Sequence, residues 1–190
     1  FTTMSLMEAA EFYIKHFDNT ATIEGIVADI NGLVEDFYFN EVLKKQGIEE
    51  FLEFLKSRGV KMCVATATDK YMVEKALERN GLLHYFSEIY TCNGVGAGKN
   101  TSVIYDVALE HLGTPKENTF VFEDALYSIK TLKANGYKTY LLSNAGFDFY
   151  EYSPHKPAIA LMDGRIISCE HKVLKPEKEI YEILFNTFSL

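Results

Sequence analysis

The sequence of 190 residues is poor in several residue types, and each shortage excludes a class of protein. It has 12 glycines, 4 prolines and no tryptophan, against 14 phenylalanines and 12 tyrosines. So few glycines and prolines exclude a collagen-like or low-complexity chain, and 47% hydrophobic residues exclude a chain that is mostly disordered. The length suits one domain, or a small domain with a compact subdomain.

Basic residues are also in deficit. The chain has 19 lysines and arginines against 27 aspartates and glutamates, a formal net charge of −8. Because no basic run compensates for this charge, the field repels a phosphate backbone, and we expect no nucleic-acid partner. No apolar stretch approaches the roughly 20 residues needed to cross a bilayer, so we expect no membrane partner either. The first residues lack the basic-then-apolar profile of a signal peptide.

Cysteine is the third scarce residue. Cys63, Cys92 and Cys169 are widely spaced and fit neither a metal site nor a disulfide framework. All three lie in apolar runs, which is typical of small core residues in a reducing compartment. We therefore expect a cytoplasmic protein, and the sequence does not indicate its oligomeric state.

The pattern of apolar residues divides the chain in two. Residues 1–57 have helical spacing throughout, which predicts a helical cap-like subdomain. From residue 58 to residue 190, short apolar runs alternate with amphipathic helices, which predicts an α/β fold: a Rossmann-like parallel sheet with helices on both faces. The predicted strands are 60–65, 88–92, 119–122, 138–142 and 165–169.

The second half of this core also looks like a copy of the first. Residues 136–190 form a partial repeat of residues 59–112, with offsets of 77 for the strand and 76 for the helix that follows. In both copies an apolar strand ends in a hydroxyl residue, and a lysine precedes an Ile-Tyr helix. The alternative is coincidence between two generic strand–helix units.

Residues at the carboxyl ends of the predicted strands are candidates for ligand binding, because open α/β sheets bind ligands there. Thr66 and Ala67 end the first strand ahead of a helix, an arrangement that suits phosphate, although Thr66 alone could be a simple helix cap. Glu123 and Asp124 end the third strand. Paired carboxylates suit Mg²⁺, and the alternative is a solvated acidic turn.

A glycine-rich stretch at 93–98 leads into Lys99. It fails as a P-loop, because Asn93 replaces a required glycine and Asn100 replaces the serine or threonine after the lysine. What remains is a lysine on a loop at the same sheet edge, able to hold a phosphate as a point charge.

The order of these residues resembles a known family. Thr66 in VATAT, Lys99 before a helix and Glu123-Asp124 in VFEDA are similar to motifs II, III and IV of the haloacid dehalogenase superfamily, in its β-phosphoglucomutase-like phosphatase branch. The resemblance implies Mg²⁺-dependent hydrolysis of a small phosphorylated metabolite through an aspartyl-phosphate. It also implies that Thr66 and Lys99 contact the phosphoryl group, while Asp124 and Glu123 hold the metal.

The nucleophile of that family, in motif I, is not found in the chain. The nearest string, residues 26–34, contains Asp29 but has Asn31 in place of the second aspartate and continues at helical spacing. We interpret it as a cap helix; the alternative is a degenerate motif I with Asp29 as a catalytic residue. Since the chain opens on Phe1, we expect the motif I strand to lie upstream. A phosphomutase and an inactive phosphate- or partner-binding module stay open as alternatives.

The tail carries a second set of similar residues. Ser143 and Asn144 resemble motif II of another such sequence, and Lys175 before a helix resembles its motif III. The resemblance implies that these three residues form a second phosphate-binding set. It also suggests a fusion or mosaic of two family members joined near residues 131–140.

Overall fold

The computed structural model describes residues 6–17 and 20–190, and it has α/β architecture, as predicted. The helices of the described ranges are α1 (Leu6–Phe17), α2 (Ile23–Asp36), α3 (Ile48–Ser57), α4 (Lys70–Arg79), α5 (Cys92–Val95), α6 (Val103–Leu112), α7 (Leu126–Ala134), α8 (Phe149–Tyr152), α9 (Ser168–His171) and α10 (Lys178–Phe188). Their strands are β1 (Val64–Thr66), β2 (Ile89–Thr91), β3 (Tyr140–Ser143) and β4 (Gly164–Ile167). No helix in these ranges is long and apolar enough to cross a membrane.

The described N-terminal residues are helical. Thr22 caps α2 by accepting a hydrogen bond of 3.1 Å from the N–H of Gly25, which satisfies one of the free amides of the first turn. A short π-helical turn, Phe37–Glu41, follows α2 and packs against α4. Helix α2 has no buried residue, whereas Leu52 of α3 belongs to a buried cluster with Leu82 and Tyr85.

Strands β1 and β2 are parallel, and their last residues, Thr66 and Thr91, are opposite each other in the register. Both strands therefore end at the same edge of the sheet. Buried side chains fix the helices around this pair, and each contributes about 1.5–3 kcal/mol through loss of contact with water. The cluster that joins β1, β2, α6 and α7 consists of Ile104, Tyr105 and Leu132, with Ala65, Tyr90, Cys92, Val95 and Tyr137 packed against it.

The predicted strand at 119–122 is wrong. Thr119 has extended backbone angles, but no strand forms there, since within the described ranges β1 pairs with β2 and β3 pairs with β4. A strand requires a hydrogen-bonded neighbour as well as an apolar sequence. Instead the aromatic side chains pack on helices: the ring of Phe120 contacts that of Phe185, and Phe122 contacts Phe51, with centroids 5.8 and 6.0 Å apart.

Strands β3 and β4 form a second parallel pair, and α10 packs on β4. The ring of Phe188 lies 4.6 Å from that of Tyr140 on β3, and the ring of Tyr181 stacks on Phe51 of α3 at 5.7 Å. Ile180 near the start of α10 is completely buried, and Phe188 at its end packs on Tyr140, so both ends of the helix are held. It therefore links the second strand pair to the helix that precedes β1.

The three cysteines are free and partly buried, in agreement with their predicted role as core residues.

Candidate active site

Thr66 lies at the end of β1 and is partly buried. Its Oγ1 accepts a hydrogen bond of 3.1 Å from the N–H of Thr68, while Ala67 between them is exposed. The hydroxyl of Thr68 lies 3.2 Å from that of Tyr38, on the π-helical turn. A side chain of the N-terminal helical region thus contacts the loop that begins at Thr66.

Lys99 follows β2, α5 and the left-handed residue Gly96, and it precedes α6. Its Nζ lies 2.6 Å from Oε2 of Glu123, and the two side chains are only 14% and 8% exposed. Two residues that the sequence placed separately, one as a phosphate ligand and one as a metal ligand, therefore form a buried ion pair.

The carboxylate of Glu123 has further partners. The hydroxyl of Tyr105 donates to Oε2 at 3.3 Å, and the N–H groups of Asp124 and Ala125 donate to Oε1 at 3.2 Å each. Burial, reinforced by the negative charge of Glu123, raises the pKa of Tyr105 to about 12, so this hydroxyl stays a donor at neutral pH. Glu123 consequently serves as the anchor of Lys99.

Asp124 is different, since it is exposed and its carboxylate has no hydrogen bond or ion pair within the described ranges. The same ranges contain no group of three or more histidine, cysteine, aspartate or glutamate side chains arranged around one point. Mg²⁺ is commonly held by one or two carboxylates together with water and substrate phosphate. The exposed carboxylate of Asp124 is suited to be one of these ligands. The metal-binding roles of Asp124 and Glu123 stay predictions.

Asp29 lies on α2 and is exposed. The interpretation of residues 26–34 as a motif I strand is therefore wrong, because Asp29 is on a helix surface and not at the carboxyl end of a strand. The preferred interpretation, a helix, agrees with the structure. The apolar residues at helical spacing were the correct signal.

The second predicted set is brought together in part. The side-chain amide of Asn144 accepts a hydrogen bond of 2.7 Å from the N–H of Lys175 and donates one of 3.0 Å to its carbonyl oxygen. The Nζ of Lys175 donates to the carbonyl oxygen of Leu142 at 2.9 Å. These hydrogen bonds hold the loop that precedes α10 against the end of β3, next to Ser143. The role of Asn144 and Lys175 in phosphate binding stays a prediction.

Two residues of the site were not identified from the sequence. The Ile-Tyr pair at the start of α6 marked Tyr105 as part of a repeat, but nothing indicated that its hydroxyl reaches Glu123. For Tyr38 the sequence carried no signal, because its partner Thr68 is 30 residues away.

Relatives and solved structures agree with this architecture. Over 99 residues the chain is 35% identical to the phosphorylated carbohydrates phosphatase of Thermotoga maritima; the match covers 52% of this chain and 46% of that protein. The chain thus spans about half the length of the curated relative that it matches.

The fold is similar to a Thermotoga maritima structure described as a β-phosphoglucomutase, with a TM-score of 0.67, 22% identity, and coverage of 96% of this chain and 79% of the other. It is also similar to β-phosphoglucomutase from Clostridium difficile, with a TM-score of 0.60, 16% identity, and coverage of 97% and 78%. The predicted Rossmann-like α/β fold is therefore confirmed. Residues 2–142 match the family model described as haloacid dehalogenase-like hydrolase, and the chain belongs to that family.

Proposed function

We propose that the edge formed by β1 and β2 binds the phosphoryl group of a small phosphorylated metabolite for Mg²⁺-dependent hydrolysis. The buried Lys99–Glu123 pair beside the unpartnered carboxylate of Asp124 is the observation that carries this proposal. The name of the Thermotoga maritima relative makes a phosphorylated carbohydrate the first substrate class to test.

Lys99 supplies a fixed positive charge. Glu123 accepts one of its N–H donors, which leaves two donors for a phosphoryl oxygen. Because the pair is buried, water screens this charge less than it would at the surface. A prepositioned charge of this kind favours a transition state in which negative charge spreads over the phosphoryl oxygens.

Thr66 supplies a hydroxyl donor. Its oxygen already accepts the N–H of Thr68, so the hydroxyl hydrogen is left for a phosphoryl oxygen of the substrate. Asp124 would hold the Mg²⁺ ion, which when bound neutralises phosphate charge and acts as a Lewis acid. The N-terminal helical region contacts this loop through Tyr38 and is proposed to act as the cap.

The aspartyl-phosphate route needs an attacking carboxylate. We do not assign it to Asp29, which lies on the surface of α2, and instead assign it to the motif I strand that the family resemblance places ahead of the cap. A phosphate-binding module without turnover is the second candidate, because the aspartate that follows β1, Asp69, already accepts a hydrogen bond of 2.7 Å from the side-chain amide of Asn93.

Hydrolysis of p-nitrophenyl phosphate, measured with and without Mg²⁺, tests the proposal. In a protein that carries the motif I strand ahead of these residues, we expect turnover that requires Mg²⁺ and is unchanged in Asp29→Asn. An absence of Mg²⁺-dependent turnover in that protein would favour the binding module. Loss of activity in Asp29→Asn would contradict the assignment of the nucleophile to the motif I strand.

A further inference from the structure

The two strand pairs share one register. In the first, Ala65 is opposite Tyr90, and in the second Leu142 is opposite Ile166, positions that are equivalent at the offsets of the sequence repeat. The elements that follow also correspond. Each strand pair is followed by a one-turn helix, then a residue with left-handed backbone, then a longer helix that contains a completely buried isoleucine. In the first unit, residues 59–112, these are α5, Gly96, α6 and Ile104. In the second unit, residues 136–190, they are α9, Lys172, α10 and Ile180.

Each unit has an open cavity at the turn after its one-turn helix. The first has a volume of about 420 Å³ and is lined by Cys92, Asn93 and residues 96–98. The second is larger, about 570 Å³, and is lined by the equivalent residues Ser168, Cys169, Lys172 and Leu174 together with residues 144–146. A volume of this size suits a small metabolite.

All four equivalent lining positions differ between the two cavities, and the replacement of Gly96 by Lys172 is the one that adds a charge. Gly96 has a φ of 70°, which glycine adopts readily, whereas Lys172 has a φ of 58° at the equivalent position. This conformation costs free energy for a residue with a Cβ atom, and such residues are concentrated at functional sites. The side chain of Lys172 has no hydrogen bond or ion pair within the described ranges, so a free cation lines the second cavity.

The rest of the lining is held in place. The side-chain amide of Asn144 is bound to the backbone of Lys175, and Oγ of Ser168 accepts a hydrogen bond of 3.0 Å from the N–H of Ala145. The N–H of Gly146 donates no hydrogen bond to any described residue. The carboxylate of Asp148 lies beside Gly146 but does not line the cavity.

We propose that this cavity is a second anion site, which takes a small phosphate monoester with Lys172 as its cation. A lysine ammonium is a compact charge that commonly binds phosphate, and the free N–H of Gly146 adds a neutral donor. Of the second set predicted from the sequence, Asn144 lines the cavity, whereas the Nζ of Lys175 is engaged by Leu142. The site does not depend on hydrolysis at the β1–β2 edge.

Titration of the ¹⁵N-labelled chain with inorganic phosphate, followed by amide chemical shifts at constant ionic strength, tests the proposal. We expect saturable shifts at residues 144–146 and 168–174. Lys172→Gly should weaken this binding at least tenfold without lowering the melting temperature, because glycine favours the left-handed backbone. Lys172→Arg should retain binding within about threefold, because it keeps the charge.

The triple variant Thr66→Ala/Lys99→Met/Glu123→Gln separates the two sites, since it removes the first without leaving a buried charge unpaired and should leave the shifts at 144–146 and 168–174 intact. Loss of these shifts in the triple variant would overturn a separate second site. Unchanged phosphate binding in Lys172→Gly would overturn the role of Lys172. Equal chemical shift changes with sodium chloride in place of phosphate would overturn the anion site itself.

Discussion

The Nζ of Lys99 lies 2.6 Å from Oε2 of Glu123, and both groups are largely removed from water. Removing one partner of such a pair leaves an uncompensated buried charge, which costs more than the pair itself contributes. The pair also fixes the direction of the ammonium before a ligand arrives. The position of Lys99 therefore depends on Glu123 as much as on the loop that carries it.

Glu123→Gln should destabilise the protein by about 3 kcal/mol, because Lys99 then loses its counter-charge in a buried place. Urea unfolding at pH 7 measures this. Glu117→Gln, at an exposed position, is the matched control and should change stability by less than about 0.5 kcal/mol. Equal stability of the two variants would mean that the ion pair is solvated in solution.

Tyr105→Phe should lower stability by about 1 kcal/mol at neutral pH, since it removes one hydrogen bond to Glu123. The raised pKa of Tyr105, about 12, also gives a pH dependence. The unfolded chain releases this proton near pH 10 and the folded chain near pH 12, so the contribution of Tyr105 is complete below pH 10 and is lost between these values. Unfolding at pH 9 and pH 11 should show a smaller alkaline loss in Tyr105→Phe than in the parent chain. Parallel losses would contradict the burial of this hydroxyl.

Gly164→Ala tests the packing of α10 on β4. A Cβ atom at Gly164 would lie 2.2 Å from the ring of Phe188, so we expect a loss of about 1–3 kcal/mol from overpacking. Gly32→Ala is the control, because nothing lies within 4 Å of that position on α2, and it should gain about 0.5–1 kcal/mol from helix propensity. Thermal unfolding of both variants should shift in opposite directions, and a neutral Gly164→Ala would show that α10 is not held against β4.

Asp163 joins α7 to the second strand pair. Its carboxylate binds Lys133 and accepts a hydrogen bond of 2.7 Å from the N–H of Thr139. The hydrogen bond from Lys133 lowers the pKa of Asp163, and the N–H of Thr139 adds to this effect. The carboxylate therefore stabilises the fold above its unfolded pKa, near 4, and loses this effect as the pH falls through its lower folded value.

Asp163→Asn should accordingly cost about 1 kcal/mol at pH 7, a modest value because the ion pair is partly exposed. The difference from the parent chain should shrink in urea unfolding at pH 3. A difference that is the same at both pH values would assign the cost to packing and not to charge.

Much of the fold follows from local patterns. The apolar runs located β1–β4 within a few residues, and helical spacing correctly placed Asp29 on a helix. The segment Phe120–Phe122 shows the limit of such patterns: it has the composition of a strand, but strand formation depends on a hydrogen-bonded neighbour elsewhere in the chain.

The candidate site shows the same limit. Lys99 and Glu123 could each be picked out by their place after a strand, but their contact joins residues 24 positions apart and depends on how α6 packs. The left-handed backbone of Lys172 could not be predicted from the sequence either, because a left-handed residue other than glycine has no clear sequence signal.

The most direct test of the account compares Mg²⁺-dependent hydrolysis of p-nitrophenyl phosphate in Lys99→Ala and Lys175→Ala variants of a protein that carries the motif I strand. These lysines are equivalent in the two units, but only Lys99 is paired with Glu123 beside Asp124. We predict that Lys99→Ala loses at least about 100-fold in kcat/KM, as expected on removing a prepositioned charge, whereas Lys175→Ala stays within about threefold of the parent chain. Equal losses in the two variants, or unchanged turnover in Lys99→Ala, would contradict a phosphoryl site at the β1–β2 edge.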